Sequence, residues 1–447
     1  MLPAIDALRV QLANRHLDAQ ALLASCVENI EADGGEGRRV FPHGISPAAA
    51  TQAMTSDALR RHGVAGPLAG IPMSVKDLFD VQGEVTRAGA RVLPEHAAAR
   101  DAVAIGRLRA AGAIFVGRTN MTEFAYSGLG INPHYGTPAN PFDRAAARIP
   151  GGSSSGAAVS VADGMAAAAI GSDTGGSCRI PAALCGVTGF KPTASRISLD
   201  GVVPLSSSYD SVGSLAPSVA CCALIDSVMA SDTEAPTPLA PIRGLRLAVP
   251  TKPVLDDMDA HVASAFEHTL SRLTAAGAIL REVEFDSWNA LAELTQHGGL
   301  VAAEAWAWHV TMICSQANQY DPRVLSRIRF GSQQSTAEYL RTKARRSLLC
   351  RQADVELQPF DAVMCPTVPI IAPRIPDLAD ERVYTSTNRL LLRNPSIANM
   401  LDLCALSIPC HEAGRAPVGV MLMGRHMSDR RLLSIGAGVE AILRQTG

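Results

Sequence analysis

Two short turns of the same spelling carry the residues best suited to chemistry. Gly151-Gly152-Ser153 and Gly175-Gly176-Ser177 place their serines 24 residues apart, and each precedes a segment that reads as a helix. Paired glycines let the backbone approach another group closely, and a helix start offers unpaired N–H groups at the positive end of a dipole. A serine hydroxyl in such a turn attacks a carbonyl once a neighbouring base takes its proton. The amides of Thr174, Gly175, Gly176 and Ser177 then converge where the oxyanion of that attack would form. Either turn alone reads as an ordinary turn; the chemistry needs a base.

The lysine count points to one. Of 40 basic residues only four are lysine (Lys76, Lys191, Lys252 and Lys343), and the other 36 are arginine. Arginine keeps its proton inside a protein, whereas a desolvated lysine can lose it, so each retained lysine is a candidate for work arginine cannot do. Lys76 ends the apolar run Ile71-Pro-Met-Ser-Val-Lys76. Burial there lowers an amine from its ordinary pKa of about 10.4 and makes it a base nearer neutrality. Lys191, in the Phe190-Lys-Pro-Thr193 turn, reads as structural.

The segment Pro150 to Thr193 resembles the signature of the amidase signature family. The likeness extends from about residue 66 to the C-terminus. It takes in the block Gly70-Ile-Pro-Met-Ser-Val-Lys76-Asp77 and the stretches Phe360 to Pro369 and Pro417 to Arg425. It implies a serine hydrolase that cleaves a linear carboxamide C–N bond through an acyl-enzyme. Position by position, it implies Ser177 as nucleophile, Ser153 as relay after a cis Gly152–Ser153 peptide, and Lys76 as base. Tyr126 and Ser127 fall where similar enzymes line the acyl pocket. The implied fold is α/β, a central mixed sheet sandwiched between layers of helices, with the site at the strand ends. No cofactor and no metal are implied, and a homodimer would match similar enzymes. One departure concerns the first turn: Ser155 stands where the family usually has a glycine.

Residues beside the motifs have plainer readings. Asp173 is expected to cap the nucleophile turn and Arg179 to order it, while Cys178 and Cys185 pack as small apolar residues. A rival nucleophile elbow, Gly152-Ser-Ser154-Ser-Gly156, requires a preceding buried strand, yet Asp143 to Pro150 is polar and ends in proline. The glutaminase component of the tRNA-dependent amidotransferase shares the triad, but usually carries glutamine where this chain has Ile180. Carbamates, ureas and hydrazides remain alternative substrates, because the triad specifies acyl transfer rather than the leaving group.

The elements that position these residues read as one α/β unit over residues 1–447. It comprises a helical segment to about residue 62, a signature core at about 66–200, and specificity helices and loops at about 255–400. Strands are expected at 71–76, 113–117, 165–171, 245–249, 278–285, 361–365 and 417–424, with helices at 102–112, 156–163, 180–185, 257–277 and 429–443. Specificity is assigned to loops near 120–135, the helical region 290–345 and the Pro-rich stretch 366–397. Trp306, Trp308 and Phe330 are candidate lining for an apolar acyl pocket.

Composition excludes other classes. The chain is 47% hydrophobic and 18% charged, with a formal charge of −2. No basic excess suits nucleic acid or an anionic membrane surface, and no apolar run reaches the roughly 18 residues a membrane span requires. Its histidines lack metal-ligand spacing. Ten scattered cysteines and an N-terminus without an export signal make reduced thiols and a cytoplasmic setting the expectation.

Overall fold

Ten strands form one mixed sheet in the computed structural model, which describes residues 1–234 and 238–445. In chain order they are β1 (Pro72–Lys76), β2 (Ile114–Thr119), β3 (Ala168–Asp173), β4 (Thr188–Lys191) and β5 (Ser211–Ala216). The second half adds β6 (Arg246–Pro250), β7 (Ile279–Val283), β8 (Ala362–Pro366), β9 (Cys404–Pro409) and β10 (Gly419–Gly424). Across the sheet the order is β2-β1-β3-β5-β4-β9-β10-β8-β6-β7. Strands β2, β1 and β3 run parallel, as do β7, β6 and β8, while the pairings between them are antiparallel.

Strand side chains alternate between faces, and the buried residues sort accordingly. Leu247, Leu406 and Leu422 join one extended core with the helices Val219–Ala230, Ala260–Ala275 and Asp429–Arg444. Their chain neighbours Ala248, Ala405 and Met421 join the opposite core, with Leu349 and Ala353 of the helix Thr336–Leu357. Near β2 and β3 that opposite face is covered by the helices Ser155–Ala162 and Arg179–Cys185. Both faces of the central strands are therefore sealed, which is why β1, β3 and β8 read as near-continuous apolar or small-residue runs.

The N-terminal segment is helical as expected: Ile5–Ala13, Ala19–Glu31, Gly37–Val40 and Ala49–Arg61. Most expected strands occur within a residue or two, with one shift. The strand expected at 165–171 begins only at Ala168, because Met165 still closes the preceding helix by donating its amide to the Ser160 carbonyl. Three central strands were not anticipated. Phe190 and Lys191 belong to β4 rather than to a turn, β5 lies in a stretch with mixed patterning, and β9 sits between two antiparallel partners. The supposed Pro-rich loop 366–397 contains a 13-residue helix, Glu381–Arg393, capped by the Asp380 carboxylate. No helix among the described residues is long and apolar enough to cross a membrane.

Candidate active site

Lys76 is the last residue of β1, and its neighbour β3 ends at Asp173, so two parallel strands deliver their carboxyl ends to one place. The lysine is fully buried. Its Nζ lies 2.7 Å from Ser153 Oγ and 2.8 Å from Ser172 Oγ, with no carboxylate in ion-pair contact among the described residues. Burial without a counter-ion disfavours the ammonium and lowers its pKa to about 8, despite weaker opposing effects of Asp173 and Asp210. Ser172 was not singled out from the sequence. The available signal was a hydroxyl residue near the end of a strand adjacent to the one carrying the lysine.

Ser153 and Ser177 arrive on the two expected turns. The Gly152–Ser153 peptide is cis, and the turns are joined by the Ser154 amide, which donates to the Ser177 carbonyl at 3.3 Å. Gly152 has no room for a side chain, since a Cβ there would lie 2.5 Å from the Gly130 nitrogen. Gly176 combines φ +128° with a hypothetical Cβ only 2.5 Å from Pro395, so conformation and space both require glycine. Ser154 is fully buried, its hydroxyl donates to the Ser172 carbonyl at 3.4 Å, and no strand leads into it, which removes the context an elbow needs.

The nucleophile turn is held by a buried ion pair. Asp173 and Arg179 lie 2.9 Å apart with both side chains fully buried. The Asp173 carboxylate also accepts from the Gly176 amide at 2.8 Å, the Cys178 amide at 3.0 Å and Asn399 Nδ2 at 2.9 Å. Burial alone would raise this carboxyl, but Arg179, with Lys191 and Asn399, holds it well below the usual carboxylate range. The capping role expected of Asp173 and the ordering role of Arg179 are thus the same interaction. It also corrects one donor: the Gly176 amide is spent on Asp173, whereas the amides of Thr174, Gly175 and Ser177 have no hydrogen-bond partner among the described residues. The Thr174 hydroxyl donates to Asp210 at 2.5 Å and anchors the turn from the other side.

Ser177 opens onto a cavity of about 690 Å³, together with Thr174 and Gly175. Tyr126 and Ser127 line it as expected. The Ser127 hydroxyl is already engaged, donating to Asn388 Oδ1 at 2.9 Å and accepting from the Tyr384 hydroxyl at 3.1 Å. The expected aromatic lining differs. Trp306 and Trp308 are absent from the wall, because the first packs against the core and the second faces outward. Phe330 lines a separate shallow depression beside Tyr126 and Arg327. The far wall instead comes from the helix Glu381–Arg393, whose Asn388, Arg389, Leu392 and Arg393 face the cavity. Cys178 and Cys185 are buried, and burial pushes both thiols upward, in keeping with apolar packing.

Comparison with known proteins places this geometry. The sequence profile described as Amidase matches residues 40–433. The chain is 37% identical to a 2-amino-5-chloromuconic acid deaminase from Comamonas testosteroni, over 97% of this chain and 95% of the relative. It is 32% identical to the first, or A-type, component of a glutamyl-tRNA(Gln) amidotransferase from Roseiflexus sp. strain RS-1, over 88% of this chain and 87% of that protein. A crystal structure of an amidase superposes with a TM-score of 0.88 at 30% identity, covering 98% of this chain and 99% of the other. The chain therefore belongs to the amidase signature family. It is a hydrolase of C–N bonds in amides other than peptide bonds.

The ion pair yields a stability prediction. Arg179→Met leaves the Asp173 carboxylate buried without its cation, which costs about 3–5 kcal/mol in comparable cases. Urea unfolding at pH 7 should give a midpoint lowered accordingly, and an unchanged midpoint would deny the pair its structural role. The wild-type pH dependence has a defined sign. The folded carboxyl titrates below the unfolded one, so its contribution is complete above the unfolded carboxylate range and is lost as pH falls through the folded value.

Proposed function

We propose that the protein hydrolyses a linear carboxamide through an acyl-enzyme on Ser177, with Ser153 relaying the proton and Lys76 accepting it. The observation that carries this reading is a fully buried lysine whose hydrogen-bond partners are two hydroxyls, one of them Ser153. A neutral amine has one lone pair and N–H bonds to spare. Donation to Ser172 orients Lys76 and leaves the lone pair for the Ser153 proton. Ser153 then takes the proton of Ser177 as its Oγ attacks the carbonyl carbon. The amides of Thr174, Gly175 and Ser177 stabilise the oxyanion. On collapse the proton returns through Ser153 to the leaving nitrogen and the C–N bond breaks. Water, deprotonated by the same relay, attacks the ester and releases the acid and Ser177.

A glutaminase-type role within an amidotransferase is a second reading, supported by the similarity to the Roseiflexus protein. Against it, Ile180 is buried among Leu129, Ala183 and Leu184 and offers no polar group to a glutamine side chain. Carbamates, ureas and hydrazides fit the same acyl-transfer chemistry. The deaminase relative likewise acts on a C–N bond, in an unsaturated acid rather than a simple amide.

Labelling with an activated phosphonofluoridate, read as intact mass, tests the assignment. The adduct should be lost in Ser177→Ala, kept in Ser154→Ala and slowed about 10²–10⁴-fold in Lys76→Ala. Label that survives Ser177→Ala and disappears in Ser154→Ala would sink the reading. The pH profile is a second test. Lys76 must be neutral to act, and with a pKa of about 8 its neutral fraction rises roughly tenfold per pH unit below that value. The acidic limb of kcat/KM should therefore bend near pH 8. A limb that bends near 6.5 would point to histidine instead.

A further inference from the structure

The cavity in front of Ser177 has a charge pattern that amide hydrolysis by itself does not require. Three arginines line it (Arg327, Arg389 and Arg393) and no aspartate or glutamate does. None of the three forms an ion pair with a carboxylate among the described residues. The contrast with Arg323 is direct: one turn earlier on the helix Pro322–Phe330, it pairs with Glu381 at 2.8 Å. Cations that serve only solubility or packing in this chain are commonly neutralised in this way, as Arg109 is by Asp101 and Arg345 by Glu293.

The three guanidiniums are held in different ways. Arg327 donates to the Tyr126 carbonyl at 2.6 Å and lies 5.3 Å from the centre of the Tyr384 ring. Arg393 donates to Asn394 Oδ1 at 2.9 Å and the Val254 carbonyl at 3.1 Å. Burial lowers its pKa, with Asp256 and Asp257 opposing from beyond ion-pair distance. Arg389 is exposed to the cavity and has no hydrogen-bond partner among the described residues. Their helix is fixed against the nucleophile turn: Asn388 accepts from the Gly128 amide at 2.8 Å, and Leu392 lies 3.4 Å from where a Cβ of Gly175 would stand. Arg389 and Arg393 flank Leu392 within about one helical turn, some 5 Å along the axis. A planar guanidinium with free donors matches a carboxylate in two-pronged fashion.

We infer that the substrate is an anionic amide, with a carboxylate about four to six carbons from the scissile carbonyl bound by Arg389 and Arg393, and Arg327 completing the positive wall. This rests on Ser177 being the nucleophile that faces the cavity. A neutral amide would leave Arg393 half-buried and uncompensated, whereas a substrate carboxylate supplies the missing counter-charge.

Matched pairs test it: succinamate against succinamide, glutaramate against glutaramide, and adipamate against adipamide, followed by ammonia release. The wild type should favour the anionic member of at least one pair by about tenfold or more in kcat/KM, the scale of a charge-assisted hydrogen bond. The preference should weaken at high salt. Arg389→Met/Arg393→Met should lower the anion-to-neutral ratio about tenfold, the Lys/Lys double variant should keep part of it, and Arg329→Met, outside the cavity, should keep all of it. The wild-type ratio requires no variant to fold. A ratio at or below one in every pair, no hydrolysis of any of the six, or an undiminished ratio in the Met/Met variant overturns the inference. Phosphonofluoridate labelling separates the two readings. Label on Ser177 without an anion preference removes only the carboxylate site, whereas label elsewhere removes the nucleophile assignment.

Discussion

A carboxylate and a guanidinium, both withdrawn from water, hold the reactive turn in shape. Asp173 and Arg179 meet at 2.9 Å with no exposure of either side chain. Such a pair costs several kcal/mol per ion in lost hydration and persists only where the remaining donors and acceptors are satisfied. Here they are. The carboxylate takes two turn amides and Asn399, while the guanidinium reaches the Pro395 carbonyl at 2.7 Å and Asn399 Oδ1 at 2.7 Å. One interaction thus joins the end of β3, the start of the following helix and a segment more than 200 residues later. The amides left facing the cavity are those this network does not use.

Nearby stands a second buried cation with the opposite arrangement. Arg179 cannot lose its proton and is given a carboxylate; Lys76 can, and is given two hydroxyls. The same low-polarity surroundings therefore stabilise one charge and weaken the other, drawing the amine to about 8. Lys191 completes the comparison: it too is buried and lowered by desolvation, but its Nζ donates to the Pro192 carbonyl at 2.6 Å. A carbonyl has no proton to exchange. What surrounds each cation, rather than its depth, separates a base from a structural group.

The cavity repeats this division across its walls. The Ser177 side presents backbone amides, suited to a charge that develops during reaction. The Glu381–Arg393 side presents full charges, suited to a charge the ligand already carries. Asn388 ties the two by accepting from Ser127 Oγ and the Gly128 amide, so the distance between them is set by packed elements rather than by a free loop.

How much of this was legible depends on the range of the interactions involved. Ser153, Ser177 and Lys76 were readable because reactivity limits the residue types, and close backbone approach spells itself as glycine. Strands with sharp local patterning, such as β8 and β10, were readable for a similar reason. Strands β4, β5 and β9 were not, since residues such as Gly189 and Ser214 show no period of their own and become strand through their partners. The Gly176 amide illustrates the limit within the site: its sequence position suggests an oxyanion donor, but Asp173 claims it. The sequence by itself determined which groups can move a proton and which turns can present amides. The tertiary structure alone decided the pKa of Lys76, the free amides and the arginine wall, because desolvation and hydrogen-bond geometry arise between residues brought together from distant parts of the chain.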